Sequence, residues 1–203
     1  MFLFQGVHLA RRGVKGSVII RILEAVEELA GPHALGIVER RAAVRLGDIK
    51  PDGIYPFSTY IAVRRALEEV FGQAARIMLF RVGYTASRSL ATSRFGVPAA
   101  ELVKGVEGDW RRVAAAGLAR IIEARVPIGE AEFSEEPGGL TVRMRDSVEP
   151  SYTSGAEAPV CHVTRGFLKY VVELLTGAKV EVRETACRAQ GAPYCEFHIK
   201  RVG

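Results

Sequence analysis

The chain has 203 residues, 48% hydrophobic and 25% charged, an ordinary globular composition with enough apolar material for a sizeable core. No run of 18 apolar residues occurs and the apolar start Met1–Phe4 is too short for a signal peptide's hydrophobic region, so a soluble, cytoplasmic protein with no membrane partner is expected. A net charge of +5 permits nucleic-acid contact, but the basic residues come as pairs (Arg11-Arg12, Arg40-Arg41, Arg64-Arg65, Arg111-Arg112) beside helix formers and glutamates, the pattern of solvated helix faces.

The predicted elements begin with helices. Val18, Ile19, Ile22, Leu23 and Val26 recur at helical spacing over about 17–29, with Ser17 as N-cap and Gly31-Pro32 as the stop. A second helix is expected over about 33–45, followed by a loop over 46–55 rich in Gly, Asp and Pro. Ser58 is the expected cap of a third helix, ended by Gly72. A fourth runs over about 73–94 with Gly83 interrupting it, and a fifth over about 108–124 carries Trp110 as a core residue.

After Pro127 the period changes from 3.6 to 2. Ala131 and Phe133 alternate with Glu130, Glu132 and Ser134, and Glu136-Pro-Gly-Gly139 turns the chain into Leu140, Val142 and Met144, which alternate with Thr141, Arg143 and Arg145. This is a β-hairpin with acids on one strand and arginines on the other. The polar stretch 147–159 reads as a lid or linker. A helix over about 160–175 capped by Gly177 comes next, and strands over 179–183 and 194–201 form a second hairpin. The expected architecture is α+β: N-terminal helices followed by a four-stranded antiparallel sheet, made of two β-hairpins joined by a helix, with helices packed on it.

Three cysteines are too few for a disulfide framework, but their placement is informative. Glu184 shares strand parity with Val180 and Val182, and Cys195 with Phe197 and Ile199, so both point inward, whereas Arg183 and Lys200 point outward. Cys187 sits where the hairpin turns, and Cys161 is in helical phase with Leu168, Val172 and Leu175. A buried carboxylate without a partner is costly, and a cation is the natural remedy. Cys161, Glu184, Cys187 and Cys195 can close a tetrahedral set with no open position, which suits structural zinc. The competing reading has three small buried thiols and a solvated Glu184. His162 is a reserve ligand and His198 a surface residue by parity.

The run Glu184-Thr-Ala-Cys187-Arg-Ala-Gln-Gly191-Ala-Pro-Tyr-Cys195-Glu-Phe197, preceded by Cys161 and the helix Gly166-Phe-Leu-Lys-Tyr-Val-Val-Glu-Leu-Leu-Thr-Gly177, resembles the 4-vinyl reductase (hydrocarbon-binding) domain family, which also supplies sensor modules of aromatic-catabolism activators. The specific match covers about 129–201. The resemblance implies zinc at Cys161, Glu184, Cys187 and Cys195, a homodimer with N-terminal segments at its interface, and binding of a small hydrophobic molecule. It organises 1–203 as a single domain, with 1–72 a helical segment and candidate dimer interface, and 73–203 the ligand-binding core with its C-terminal zinc site.

No ATPase loop, dinucleotide fingerprint or serine elbow occurs, so catalysis is not expected, despite the family's name. The leading reading is a ligand-binding or sensor protein with a pocket lined by Phe133, Leu140, Val142, Phe167, Tyr170 and Phe197 under the 147–159 lid. The alternatives are a scaffold of the trafficking-subunit type, whose pocket is filled by side chains, and a transcriptional regulator. The absence of asparagine and the scarcity of glutamine point to a thermophilic source.

Overall fold

The computed structural model describes residues 13–92, 98–125 and 130–203. A two-residue strand β1 (Val14–Lys15) opens the described chain and pairs antiparallel with β2 (Ile54–Tyr55), closing the 46–55 loop. Between them α1 (Gly16–Ala42) breaks at Gly31, whose φ of 83° and ψ of 167° are non-helical. Glycine tolerates that conformation, and Pro32 begins the next segment where a missing N–H is harmless. The two expected helices are therefore the two halves of one kinked rod. Its cap is Lys15 rather than Ser17, since the helical backbone already starts at Gly16.

Helix α2 (Phe57–Phe71) is preceded by Pro56 at the cap position, so Ser58 lies inside the first turn and is not the cap. Gly72 ends it with φ 51°, as its place in the sequence implies. Helix α3 (Ala75–Thr92) runs through Gly83 without interruption. The glycine answers a packing demand: a Cβ there would lie 2.1 Å from the carbonyl oxygen of Val163. Short α4 (Ala99–Leu102) has no counterpart in the sequence reading, and α5 (Trp110–Arg125) carries Trp110 partly buried against the core.

The sheet is antiparallel throughout, in the order β3 (Ala131–Glu136), β4 (Gly139–Met144), β6 (Cys195–Arg201), β5 (Val180–Ala186). The α+β architecture of N-terminal helices and a four-stranded antiparallel sheet is the one expected. Glu132 lies opposite Arg143 in the register, yet each finds another partner: Arg145 pairs with Glu132 at 3.0 Å and Arg143 with Glu196 on β6 at 2.7 Å. Helix α6 (His162–Thr176) ends at Gly177 in the left-handed conformation, φ 67°.

Two apolar clusters result. One lies among α1, α2 and α3, with Ile19, Leu23, Val26, Val38, Leu67 and Leu79 buried. The other lies between the sheet and helices α5 and α6, with Leu118, Leu140, Met144, Leu168, Phe197 and Ile199 fully buried. Helix α6 touches both, because Gly166 brings its backbone onto α3. Arg41 pairs with Glu69, Arg88 with Glu28 and Arg112 with Glu135, in keeping with solvated basic faces. Arg64 departs from that reading: only 5% of it is exposed, because it falls in helical phase with Ile61 and Leu67. Arg11, Arg12 and the apolar start Met1–Phe4 lie outside the described residues.

Candidate metal centre

Cys161 occupies the cap position before α6, with φ −82° and ψ 55°, rather than the helix itself. Glu184 projects inward from β5, immediately before a bulge that separates the pairs Glu184–Phe197 and Ala186–Glu196. Such a bulge adds an unpaired residue and re-aims the strand end. Cys187 follows the bulge and caps the short helical turn Arg188–Gln190, which Gly191 closes at φ 92°. The Cys187 carbonyl accepts from the N–H groups of Gln190 and Ala192 at 3.0 and 3.3 Å, holding the turn. Cys195 is the first residue of β6. The sequence thus delivers one ligand from a helix start and three from a hairpin and its turn.

The ligand atoms of Cys161, Glu184, Cys187 and Cys195 all lie within 4.8 Å of one another, and all four residues are buried. The Cys161 and Cys195 sulfurs are 3.5 Å apart, close to the ~3.8 Å that two thiolates span on a tetrahedral zinc with Zn–S of ~2.3 Å. The Cys161 amide donates to Glu184 Oε2 at 3.0 Å and the Arg188 amide to Cys195 Sγ at 3.5 Å, contacts that orient ligands without competing for a metal. Glu184 Oε1 is buried and has no hydrogen-bond partner.

The electrostatics of the four groups are in conflict. Burial, then the Cys187 thiol, pushes Glu184 up to about 8. Hydrogen bonding to Cys187 and then Cys195, together with burial, keeps Cys161 protonated. Hydrogen bonds from Cys161 and Cys195 pull Cys187 well below the ordinary thiol range. At Cys195 the hydrogen bond from Cys161 works downward, but that of Cys187 and burial prevail and push it up to about 12. Four acidic groups share a site in which not all can ionise. A divalent cation removes that conflict, since metal binding takes up deprotonated thiolate and carboxylate. Three sulfurs and one oxygen with no place left for solvent are a structural zinc donor set.

His162 follows Cys161 but is not part of this group. It is buried and faces the opposite way, into a cavity beside α2 and α3. Burial, then Arg165, Arg64 and Arg76, holds its pKa down at about 4. His198 lies outside the group too; it is half-buried, with its Nε2 enclosed and unpartnered. All six proposed ligand-lining residues meet in the sheet cluster: Leu140, Val142, Phe167 and Phe197 as buried members, Phe133 and Tyr170 packed against it. Tyr170 also meets Tyr84 of α3 edge-on, with ring centroids 5.2 Å apart.

One contributor is absent from the sequence reading. Glu149, 2% exposed, accepts from the amides of Val163 and Thr164 at 3.1 and 2.8 Å and from the Thr164 hydroxyl at 2.6 Å. It caps α6 from within the stretch expected to be a lid. That stretch is tied elsewhere too: the Ala156 amide donates to the Ala189 carbonyl at 3.0 Å, and Gln190 Nε2 to the Glu157 carbonyl at 3.2 Å. The turn carrying Cys187 and the chain leading into Cys161 are thereby joined.

The fold has relatives among solved structures. It is similar to an H-NOX protein from S. oneidensis in the Fe(II)NO ligation state, with TM-score 0.64, 11% identity, and coverage of 94% of this chain and 100% of that one. It is also similar to the Fe(II) unliganded H-NOX protein from K. algicida, with TM-score 0.63, 13% identity, and coverage of 94% and 97%. At these identities the likeness defines the fold.

Family membership comes from the C-terminal part: residues 140–201 match the 4-vinyl reductase domain, and this part of the chain is such a domain, as the cysteine and glycine pattern implies. The bacteriochlorophyll synthase 23 kDa chain of Cereibacter sphaeroides is 25% identical over 190 residues, 90% of this chain and 88% of that protein. The uncharacterized protein MJ0855 of Methanocaldococcus jannaschii is 38% identical over 69 residues, 33% of this chain. That match spans only 30% of the Methanocaldococcus protein. No helix among the described residues is long and apolar enough to cross a membrane.

Proposed function

We propose that the chain is a non-catalytic small-molecule sensor of the 4-vinyl reductase type, in which Cys161, Glu184, Cys187 and Cys195 hold a structural zinc and the apolar cluster beneath the sheet receives a hydrophobic or aromatic ligand. The observation that carries this reading is the closed, buried four-residue set inside a domain of that family. Zinc there would neutralise the thiolates and Glu184 and fasten α6 to the β5–β6 hairpin. The ligand would contact Phe133, Leu140, Val142, Phe167, Tyr170 and Phe197. The fold shared with H-NOX proteins, solved in Fe(II) and Fe(II)NO ligation states, supports a sensing rather than a turnover role. A homodimer formed through the N-terminal segment and a cytoplasmic setting that keeps the thiols reduced belong to the same reading.

One observation favours the scaffold alternative, in which side chains fill the interior: Leu140, Val142 and Phe197 have no exposed surface. Native mass spectrometry of the purified chain separates the two. Zinc with a retained or added aromatic molecule on a dimer supports the sensor. Zinc without uptake of any aromatic, lipid or tetrapyrrole ligand supports the scaffold, and a metal-free, folded protein defeats the zinc assignment.

A further inference from the structure

A cavity of ≈ 280 Å³ lies apart from the metal set, between α2, α3 and the chain leading into α6. Two of its lining residues are polar and more than nine-tenths buried, Arg64 with 5% exposed and His162 with 7%. Each has an atom without a hydrogen-bond partner, Arg64 Nε and His162 Nδ1. Orphaned polar atoms of this kind are uncommon in protein interiors. Much of the remaining wall is apolar, built from Leu79, Ala156, Pro159 and Val160.

The charges define what fits. Glu68 also lines the cavity, but Arg64 already holds it through NH2 at 2.8 Å, and Glu68 is 40% exposed at its side chain. Glu149, close enough to act on Arg64 electrostatically, is committed to the start of α6. Arg76 and Glu157 are exposed on the lining and offset each other. What is left is the inner guanidinium N–H and the imidazole nitrogen. Two converging donors match the two oxygens of a carboxylate, and arginine is the side chain best suited to it. Water alone is a poor occupant, because the space exceeds several times the ~30 Å³ of one molecule and the apolar wall offers no partners. The volume, a little under the usual range for ligand pockets of roughly 300–1,000 Å³, limits the body of the ligand to a ring or a short branched chain.

We propose that this cavity is a second ligand site, for a small organic carboxylate with a compact apolar body, recognised by Arg64 Nε–H and His162 Nδ1–H. The apolar body lies on Leu79, Pro159 and Val160. The site is distinct from the cluster beneath the sheet and independent of what that cluster binds. The segment 160–162 joins it to the metal set, since Val160 and His162 line the cavity and Cys161 faces the other way.

Isothermal titration calorimetry on the full chain, with benzoate and 3-methylbutanoate as probes and benzamide as the neutral control, tests the assignment. At least one carboxylate should bind saturably, roughly tenfold or more tighter than benzamide. Arg64→Gln should weaken binding at least about tenfold, a factor equal to ~1.4 kcal/mol. Ala158→Phe, which fills the lining from a loop and leaves Arg64 in place, should weaken it to a similar extent. If Arg64→Gln does not fold, Ala158→Phe and the amide comparison decide. Three results overturn the proposal: no saturable binding of either carboxylate up to about 10 mM, equal affinity for benzamide, or binding lost in Tyr170→Ala but unchanged in Ala158→Phe, which would place the probe beneath the sheet.

Discussion

Gly83 of α3 and Gly166 of α6 pack backbone to backbone: a Cβ on Gly83 would lie 2.1 Å from the Val163 carbonyl oxygen, and one on Gly166 would lie 2.1 Å from the Phe80 carbonyl oxygen. Neither obstacle is a flexible side chain. The contact sets the distance between the helical half and the sheet half, and so fixes where α6 presents Cys161.

Gly166→Ala should therefore destabilise the protein, although alanine is the better helix former by roughly 1 kcal/mol. Overpacking against backbone costs on the order of 1–3 kcal/mol or more, so the net change is expected to be negative. Urea unfolding of Gly166→Ala and Gly83→Ala beside Gly36→Ala, whose added Cβ meets only the end of Arg40 at 3.5 Å, makes the comparison. A gain of stability at Gly166 equal to that at Gly36 would refute the close-packing argument.

Cys187→Ser should lower both metal content and stability. Metal-binding free energy is coupled to folding, and loss of a structural metal belongs among the substitutions costing more than about 4 kcal/mol. Elemental analysis should give about one zinc per chain before and less after, and a strong chelator should lower the melting temperature of the parent protein far more than that of the variant. Equal melting temperatures with and without chelator would leave the zinc no structural role.

Glu149→Ala should cost about 1–3 kcal/mol by stranding two amides and the Thr164 hydroxyl at the start of α6. Burial raises the Glu149 pKa, and the hydrogen bonds from Thr164 only partly oppose it. A carboxyl raised in the folded state binds its proton more tightly there than when unfolded, so its contribution is full below pH 4.5 and declines as pH rises through the folded value. The stability gap between the parent and Glu149→Gln should accordingly narrow as pH rises from 4.5 towards neutrality, measured by denaturant titration; a gap that widens contradicts the sign.

Arg143 lies across the strands from Glu196, at 2.7 Å, and its guanidinium also sits over the Tyr194 ring at 5.4 Å. Its hydrogen bond is the main reason that the Glu196 pKa falls below 4.5. A depressed carboxylate stabilises above its unfolded pKa and loses that contribution as pH falls through the folded value. Both side chains are partly exposed, so solvent screening keeps the effect modest. Arg143→Ala should cost roughly 0.5–1 kcal/mol at about pH 7, and the difference should shrink at about pH 3.

Much of the metal set was legible because strands have a strict period of two. Val180, Val182 and Glu184 alternate with charged residues, so the parity that buries the valines also buries the carboxylate. The bulge after Glu184 was not legible, since an extra residue leaves no mark in a pattern read one strand at a time. Arg64 was misread because a doublet of arginines looks like a wet surface; its phase with Ile61 and Leu67 was the available signal. Glu149 gave none, because it reaches Val163 and Thr164 from a stretch without periodicity. Gly83 is a helix-weakening residue by propensity, and only the neighbour across the contact explains its presence within α3.

The register of β3 against β4 has a practical consequence for where the family's structural unit ends. The matched stretch 140–201 begins inside β4, while β3 (131–136) hydrogen-bonds along the whole of that strand, from Ala131 opposite Met144 to Glu136 opposite Gly139. A fragment cut at the matched boundary would carry β4 as a bare outer strand, with Leu140, Val142 and Met144 deprived of part of their cover and a row of unpaired amides and carbonyls open to other chains. Such strands recruit copies of themselves. The autonomous unit is thus larger than its recognisable signature, and an expression fragment meant to stay monodisperse has to begin upstream of Glu130 and keep α3, on which Gly166 rests.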